Sequence, residues 1–435
     1  MNILLKALGC RLNEAELEQW ARSFQSHGHH IVADTDDADI IIINSCAVTN
    51  DAGKKSRQLL SRLYRTNPEA HLVVTGCYAS LNLDEVADTL GVDLVVSNAD
   101  KDKLPTLVLD KFAIRTMPLM AMEPGETSLF LRGRNRAFIK IQDGCRYRCT
   151  YCIVTIARGD ERSRSDKDII DEINAFSEQG IQEIVLTGVH VGGYGSDIST
   201  SLAQLVTSIL ENTDIPRIRF ASVEPWDLPE DFFSLFSNTR LMPHMHLPIQ
   251  SGVNSVLRRM SRRCKTDEFK SLVEQARRSV SGFNVTTDII VGFPGETEDE
   301  WQQTMEYIES VGFGHMHVFS YSAREGTKAT RLANPVPNAI KKQRSLQMRT
   351  LADTMKASFY SQLVGVESQV LWEKARANQA GNLVFHGYTP NYVRVQTEVV
   401  SGNSNANLEN KVTPVQIERF DAENSMLYGQ SRLED

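Results

Sequence analysis

The chain has 435 residues, of which 41% are hydrophobic and 23% charged, an ordinary composition for a globular protein and enough chain for about three domains. No run of eighteen apolar residues exists, which excludes a membrane-spanning helix; the apolar start is too short for a signal peptide, so a cytoplasmic protein is expected. The net charge of −8 argues against strong nonspecific nucleic-acid binding, yet residues 132–164 carry nine Lys/Arg against three acids and residues 258–265 five Lys/Arg and no acid, each run reading either as a phosphate-binding face or as solvated helix surface.

Residues 1–115 alternate apolar runs with helical patterns. Runs at 40–43, 72–74 and 94–96 read as buried parallel strands, and 14–25, 54–65 and 83–90 as the helices between them. The fold class is α/β, and this first segment reads as a small open parallel α/β domain. Residues 116–133 lack periodicity, contain Pro and Gly, and suit a linker. From 134 to 365 the alternation runs on a longer period. Strands are expected at 138–141, 183–186, 218–221, 245–247, 285–290 and 317–321, with helices at 168–176, 202–210, 268–280 and 298–310 and a long one at 340–363. Six such units in series imply a parallel sheet curled into a partial (β/α)6 barrel, with chemistry at the C-terminal ends of its strands. Residues 366–435 change to the strand period at 370–372, 383–388 and 392–397, broken by Gly, Asn and Pro, and read as a small β-barrel.

The seven cysteines are 10, 46, 77, 145, 149, 152 and 264. An odd number in a cytosolic setting argues against a disulfide framework and for metal or redox chemistry. Cys145, Cys149 and Cys152 are spaced C-x3-C-x2-C directly after the first barrel strand. Zinc usually gathers four Cys or His. One C-x2-C with no histidine nearby suits instead a 4Fe-4S cluster with one iron left open. The strand ends LTGVHVGGYG (186–195), ASVEPWD (221–227), HLPIQSG (246–252) and TTDIIVGFPGET (286–297) put polar groups or glycine at the barrel mouth, though each alone reads as a tight turn. Cys10, Cys46 and Cys77 each follow a strand by a few residues, and parallel strands bring such positions to one edge. They read either as a second three-ligand site or as three buried, inert thiols. Cys264 reads as a packing thiol, Met242, Met245 and Met316 as core, and His190, His244, His246, His315 and His317 as core or rim histidines.

A three-cysteine loop after the first strand of a β/α barrel resembles the radical S-adenosylmethionine (SAM) superfamily, and Tyr151 stands where that superfamily places an aromatic near the adenine. LGC-x2-N at 8–13, N-x-C at 44–46, GCY at 76–78 and KIQDGC at 140–145 extend the likeness to the methylthiotransferase family. At the C-terminus GYTPNYVRV (387–395) is similar to a TRAM RNA-binding module. The resemblance implies two 4Fe-4S clusters. One, on Cys145, Cys149 and Cys152, binds SAM; the auxiliary one, on Cys10, Cys46 and Cys77, carries the sulfur to be donated. It also implies two SAM per turnover, one to methylate the sulfur and one to generate the 5′-deoxyadenosyl radical that removes hydrogen from an unactivated C–H. Tyr151, Thr187, Gly188, Glu224, Gln250 and Asp288 are the expected SAM contacts; no side chain is expected to act as acid or base.

The family divides among tRNA adenosines carrying an isopentenyl group, tRNA adenosines carrying a threonylcarbamoyl group, and a ribosomal-protein aspartate. CAVTNDAGKKSRQ (46–58), with Val48-Thr49 before Lys55-Ser56-Arg57-Gln58, is most similar to the threonylcarbamoyladenosine branch. The expected reaction is methylthio insertion at C2 of N6-threonylcarbamoyladenosine at tRNA position 37. The carboxylate of that group suits a paired arginine; Arg146, Arg148 and Arg158 are candidates, for it or for tRNA phosphates. Tyr388 and Tyr392 are candidates for base stacking, although residues 366–435 hold six Lys/Arg against nine Asp/Glu, which is acidic for an RNA binder. The chain departs from the family at Thr155-Ile156, Cys264, Ala323 and Glu325, positions expected on the substrate side. The implied partners are a tRNA anticodon stem-loop and a reduced flavodoxin or ferredoxin type electron donor, with no membrane and a monomeric state. A zinc-containing RNA-binding scaffold without catalysis is the reading from another class.

Overall fold

The computed structural model describes residues 1–113, 135–399 and 407–431; the expected linker at 116–133 falls outside the described residues. Strands β1 (Asn2–Ala7), β2 (His30–Val32), β3 (Ile40–Ser45), β4 (His71–Gly76) and β5 (Val92–Val95) form one parallel sheet in the order β2-β1-β3-β4-β5. Every residue of β3 is buried, as a parallel strand covered on both faces should be. Ile40 and Ile42 pack with Leu17, Trp20, Phe24 and Val108 on one face. Ile41 and Ile43 pack with Leu60 and Leu63 on the other, so the two-residue period of the strand divides the isoleucines between two cores. The sequence names three strands here; β1 and the short edge strand β2 are added by the structure.

The second sheet system holds β6 (Arg136–Lys140), the small hairpin β7 (Gln142–Asp143) and β8 (Arg162–Ser163), and then β9 (Glu183–Thr187), β10 (Arg217–Phe220), β11 (His244–His246), β12 (Asn284–Val291) and β13 (His315–Ser320). Parallel pairing runs β6-β9-β10 and β11-β12-β13. Parallel bridges Ile218–Leu241 and Ser222–His246 join the two halves. The six long strands therefore follow one another in chain order, and β6 and β13 do not pair: the barrel is open on one side. Ser165, Ser201 and Thr297 cap the helices Asp166–Glu178, Leu202–Asn212 and Glu298–Val311 through backbone N–H groups, which sets where each loop at the barrel mouth ends.

The N-terminal sheet sits over the open side. Its helix Arg11–Ser26 packs on β6. Asn50, at the start of helix Asn50–Thr66, bonds Ala323 O and Arg324 in the loop after β13. After helix Asn338–Ser361, β14 (Glu367–Trp372), β15 (Arg376–Ala377), β16 (Leu383–Tyr388), β17 (Arg394–Val399), β18 (Val412–Asp421) and β19 (Met426–Ser431) close a small barrel in the order β14-β18-β19-β17-β16-β15, with β14 also pairing β16. The strand expected at 392–397 begins only at Arg394, because Tyr392 has φ +62° and its N–H closes a turn on Thr389 O.

That turn plugs the N-terminal end of the large barrel. Arg217 donates to the carbonyls of Tyr388 and Thr389, Arg219 to those of Thr389 and Pro390, and Asn284 Nδ2 to Asn391 O. Both arginines hold Glu183 at 2.9 Å, and Arg136 holds it at 3.4 Å. Burial alone would raise the Glu183 carboxyl. The guanidiniums of Arg219, Arg217 and Arg136 outweigh it and hold the group down at about 2.

Candidate active site

Cys10, Cys46 and Cys77 follow β1, β3 and β4, which are adjacent in the sheet. Neighbouring parallel strands lie about 4.8 Å apart, so three thiols from three neighbouring C-terminal ends come to one edge, near enough to act on one another electrostatically. Glycine lets them close in. Gly9 has φ +103°, and a Cβ there would stand 2.5 Å from Cys46 Sγ; Gly76 has φ +97°, and a Cβ there would stand 2.3 Å from Ser45 O. The motif asparagines tie the same loops together. Asn13 Nδ2 donates to Leu8 O, Asn44 O and Ser45 O, and Asn44 Nδ2 donates to Asn13 O and Glu16. Cys46 and Cys77 are buried, whereas Cys10 is exposed because it opens on a cavity. The cavity walls still strip its water: burial raises the Cys10 and Cys46 thiols, and neighbouring Arg158 opposes this at both.

Behind these thiols lies a buried ion cluster. Lys101 pairs with Glu16 at 2.6 Å, Lys140 with Asp143 at 3.0 Å, and Arg158 with Glu16 at 3.0 Å and Asp143 at 2.9 Å. Among the buried members three cations face two carboxylates beside the three sulfurs, and Lys140 also reaches the exposed Asp102 at 3.2 Å. A set of three thiols with cationic backing fits a thiolate-bound iron–sulfur cluster, whose net charge is negative.

The C-x3-C-x2-C loop follows β7 at the mouth of the barrel. Gly144 has φ +72°, and a Cβ there would overlap Asp160 O at 1.9 Å, so KIQDGC needs glycine where the returning chain crosses. Cys145, Cys149 and Cys152 are half-buried. Burial pushes Cys145 up to about 12 and Cys152 up to about 11. To hold a metal the thiols would therefore have to give up protons. Arg262 lies 4.0 Å from Cys149 Sγ, stacks on Trp226 at 4.3 Å and donates to Pro248 O.

The expected SAM contacts lie around this loop. Tyr151 is packed edge-on to Phe293. Gln142 Oε1 accepts from Val189 N and His190 N, holding the Thr187-Gly188 turn against the loop. Gln250 has φ +79°, and its Oε1, Ser251 Oγ and Glu224 Oε2 are buried polar atoms without hydrogen-bond partners among the described residues, with His190 Nε2 3.8 Å from Glu224 Oε2. Unpartnered buried groups converging at strand ends suit a polar ligand. Asp288 bonds His246 Nε2 at 3.1 Å, and His246 is oriented by Thr286 Oγ1 through Nδ1 at 2.9 Å.

Thr187, Gly188, Asp288 and Cys10 line one cavity of about 650 Å³ that runs down the barrel lumen to Tyr388 and Tyr392. Cys10 and these strand ends therefore share one chamber, while Cys46 and Cys77 lie behind its wall. His244, His246, His315 and His317 line it as well. His190 does not: it is buried between Glu161 and Asp227.

Several expected substrate residues are placed otherwise. Arg158 is fully engaged with Glu16, Asp143 and Asn13. Arg146 pairs with Glu161 and Asp227, and Arg148 is 68% exposed, with Asp160 at 3.9 Å. Tyr388 and Tyr392 stack on each other at 4.8 Å beneath Arg136 and Arg219, so their faces are already used. Thr49 caps its helix by accepting from Ala52 N, while Val48 is exposed. Among the described residues the basic runs are not continuous phosphate faces: Lys140, Arg158 and Arg164 are ion-paired within the fold, as is Arg259 with Glu300. Cys264 is a buried core thiol. Sequence reasoning missed Glu16, Lys101 and Arg262. Glu16 follows Asn13 by three residues and so shares its helix face, a signal that was available; Arg262 was hidden within a run read as surface.

Two family profiles match the chain: one described as Radical SAM superfamily, over residues 139–308, and one described as Uncharacterized protein family UPF0004, over residues 2–97. The Bacillus subtilis protein named threonylcarbamoyladenosine tRNA methylthiotransferase MtaB is 34% identical over 90% of this chain and 89% of its own. The Thermotoga maritima protein of the same name is 35% identical over 85% and 86%. A tRNA-2-methylthio-N(6)-dimethylallyladenosine synthase of Oceanobacillus iheyensis is 35% identical over 85% of this chain and 74% of its own. Among solved structures, the radical S-adenosylmethionine methyltransferase TsrM from Kitasatospora setae superposes with a TM-score of 0.56 at 15% identity, over 73% of this chain and 74% of that one. At that identity the likeness is one of fold. With full-length relatives above 30% identity and a radical SAM profile over the barrel, the chain belongs to the radical SAM tRNA methylthiotransferase family.

Proposed function

We propose that this protein inserts a methylthio group at C2 of N6-threonylcarbamoyladenosine at position 37 of tRNA. The observation that carries the two-centre chemistry is the shared lumen: Cys10 of one triad and the Thr187, Gly188 and Asp288 strand ends of the other centre line the same cavity. Cys145, Cys149 and Cys152 hold the 4Fe-4S cluster that binds SAM; Cys10, Cys46 and Cys77 hold the auxiliary one. When bound, the clusters and SAM supply the one-electron chemistry and the sulfur. The chain's own groups position the reactants. Glu224, Gln250 and Ser251, whose buried polar atoms lack hydrogen-bond partners among the described residues, would hold the polar part of SAM, Tyr151 would hold its adenine side, and Arg262 would offset negative charge beside Cys149. The Glu16–Lys101–Arg158 cluster offsets negative charge behind the auxiliary triad.

The choice of adenosine is supported by Val48-Thr49 and by relatives named threonylcarbamoyladenosine tRNA methylthiotransferase MtaB at 33–36% identity. The test is nucleoside mass spectrometry of tRNA from a deletion strain. Loss of 2-methylthio-N6-threonylcarbamoyladenosine, restored by the gene, is expected. Its persistence, with loss of the methylthio isopentenyl nucleoside instead, would refute the substrate assignment.

A further inference from the structure

The floor of the lumen collects three cations, none within ion-pair distance of a carboxylate among the described residues, although Asp353 on the same helix attracts Lys356. Arg11, Lys356 and Arg394 line the cavity, and Asp288, already bonded to His246, is its one lining carboxylate. None of the three forms an ion pair among the described residues; Arg11 bonds only the Tyr392 hydroxyl, at 3.3 Å. They come from three parts of the chain: the residue after Cys10, the long helix Asn338–Ser361 and the start of β17. Arg11 and Lys356 are half-buried and Arg394 is exposed at the rim; holding two half-buried cations without an ion pair is costly unless an anion enters the chamber. Burial, then Arg219, His246 and Arg11, pushes down His244; burial, then His246 and, against Asp288, Arg11, pushes down His317; burial, then His317 and Lys356, pushes His315 down to about 4.

We propose that Arg11, Lys356 and Arg394 form a carboxylate-binding floor that receives the threonyl carboxylate of the substrate adenosine. This rests on the threonylcarbamoyl reading above. The depth suits it. Along β12, Asp288 stands four residues above Asn284 at the floor, about 13 Å at the rise of a strand. A carbamoyl-linked amino acid is peptide-like and spans about 7 Å, which leaves room for the purine above it. An isopentenyl group has no charge to offer and would leave the three cations unmatched, so the floor also selects against that substrate. The arginines beside the C-x3-C-x2-C loop are not needed for this role, since Arg158 and Arg146 already hold carboxylates of the chain.

The test uses anaerobically reconstituted full-length enzyme and three anticodon hairpins: one with N6-threonylcarbamoyladenosine at position 37, its carboxamide analogue, and one with isopentenyladenosine. Wild type should show a KM for the acid roughly tenfold or more below that for the amide, the worth of a charge-assisted hydrogen bond. Lys356→Met and Arg394→Gln should each raise the acid KM by about the same factor, leave the amide KM unchanged and leave kcat nearly so; Lys356→Arg should keep the preference. Iron content and thermal midpoint report folding, and the acid–amide comparison in wild type does not depend on any variant. Equal KM for acid and amide in wild type, or an acid preference that survives both substitutions in folded protein, overturns the carboxylate floor. Turnover of the isopentenyl hairpin with none of the threonylcarbamoyl hairpin overturns the substrate reading itself.

Discussion

Replacing Gly9 by Ala puts a methyl group 2.5 Å from Cys46 Sγ and 2.8 Å from Cys46 Cβ. Nonbonded heavy atoms rest at about 3.5–4.0 Å, so Cys46 or the Gly9 loop must move by about 1 Å. A metal site holds its ligand distances to about 0.2 Å, several times less than that displacement. Backbone strain acts in the same direction: φ of +103° costs a non-glycine residue about 1–3 kcal/mol, and relieving it swings Cys10 away. The expected result is selective loss of the auxiliary cluster. After anaerobic reconstitution, iron should fall from about eight to about four per chain, with acid-labile sulfide in parallel, while SAM cleavage without tRNA persists. Gly53→Ala is the control. Its Cβ would meet only the Tyr78 ring, at 3.7 Å, and within helix Asn50–Thr66 alanine is favoured by about 1 kcal/mol. If Gly9→Ala protein keeps its full iron and sulfide, the three thiols do not converge as described.

Changing Cys10, Cys46 and Cys77 together to Ala should likewise leave about four irons and SAM cleavage intact while abolishing methylthiolation; zinc in place of iron in the native protein would contradict the whole assignment. Arg262→Met should raise the KM for SAM about tenfold, by loss of a charged partner, with little change in tRNA binding; an unchanged SAM KM would remove Arg262 from that site. Glu183→Gln leaves Arg136, Arg217 and Arg219 buried without their carboxylate, a loss of about 3–5 kcal/mol, and thermal melts should show a midpoint lower by about 10 °C. The sign with pH follows from the depressed carboxyl. Glu183 titrates at about 2 in the fold and near 4.3 when unfolded, so its stabilisation is complete above about pH 4.3 and is lost as pH falls toward 2. The Gln variant should lack that part of the acid limb, and an identical acid limb would show that the guanidiniums do not depend on Glu183.

Much of the architecture was legible because it is local. Burial of β3 on both faces appears as an unbroken apolar run, and the six barrel units appear as a repeating change of period. The placement of Cys10, Cys46 and Cys77 was legible for the same reason: each stands a few residues past a strand, and parallel βα units carry every such position to one edge of the sheet. The C-terminal strands β18 and β19 were missed, because residues 412–431 mix polar and apolar positions more evenly than the strands before them.

The roles of the charged residues were decided only in three dimensions. Arg158 looked free in sequence, yet it pairs with Glu16, far off in the chain. Tyr388 and Tyr392 looked like a platform for bases, yet the turn between them closes the barrel floor and stacks their rings together. By itself the sequence determined which chemistry the chain carries, since cysteine spacing and strand-end glycines are properties of short segments. Which cations are neutralised, and which are left facing the lumen, depends on partners brought together by folding, and charge is felt across space rather than along the chain.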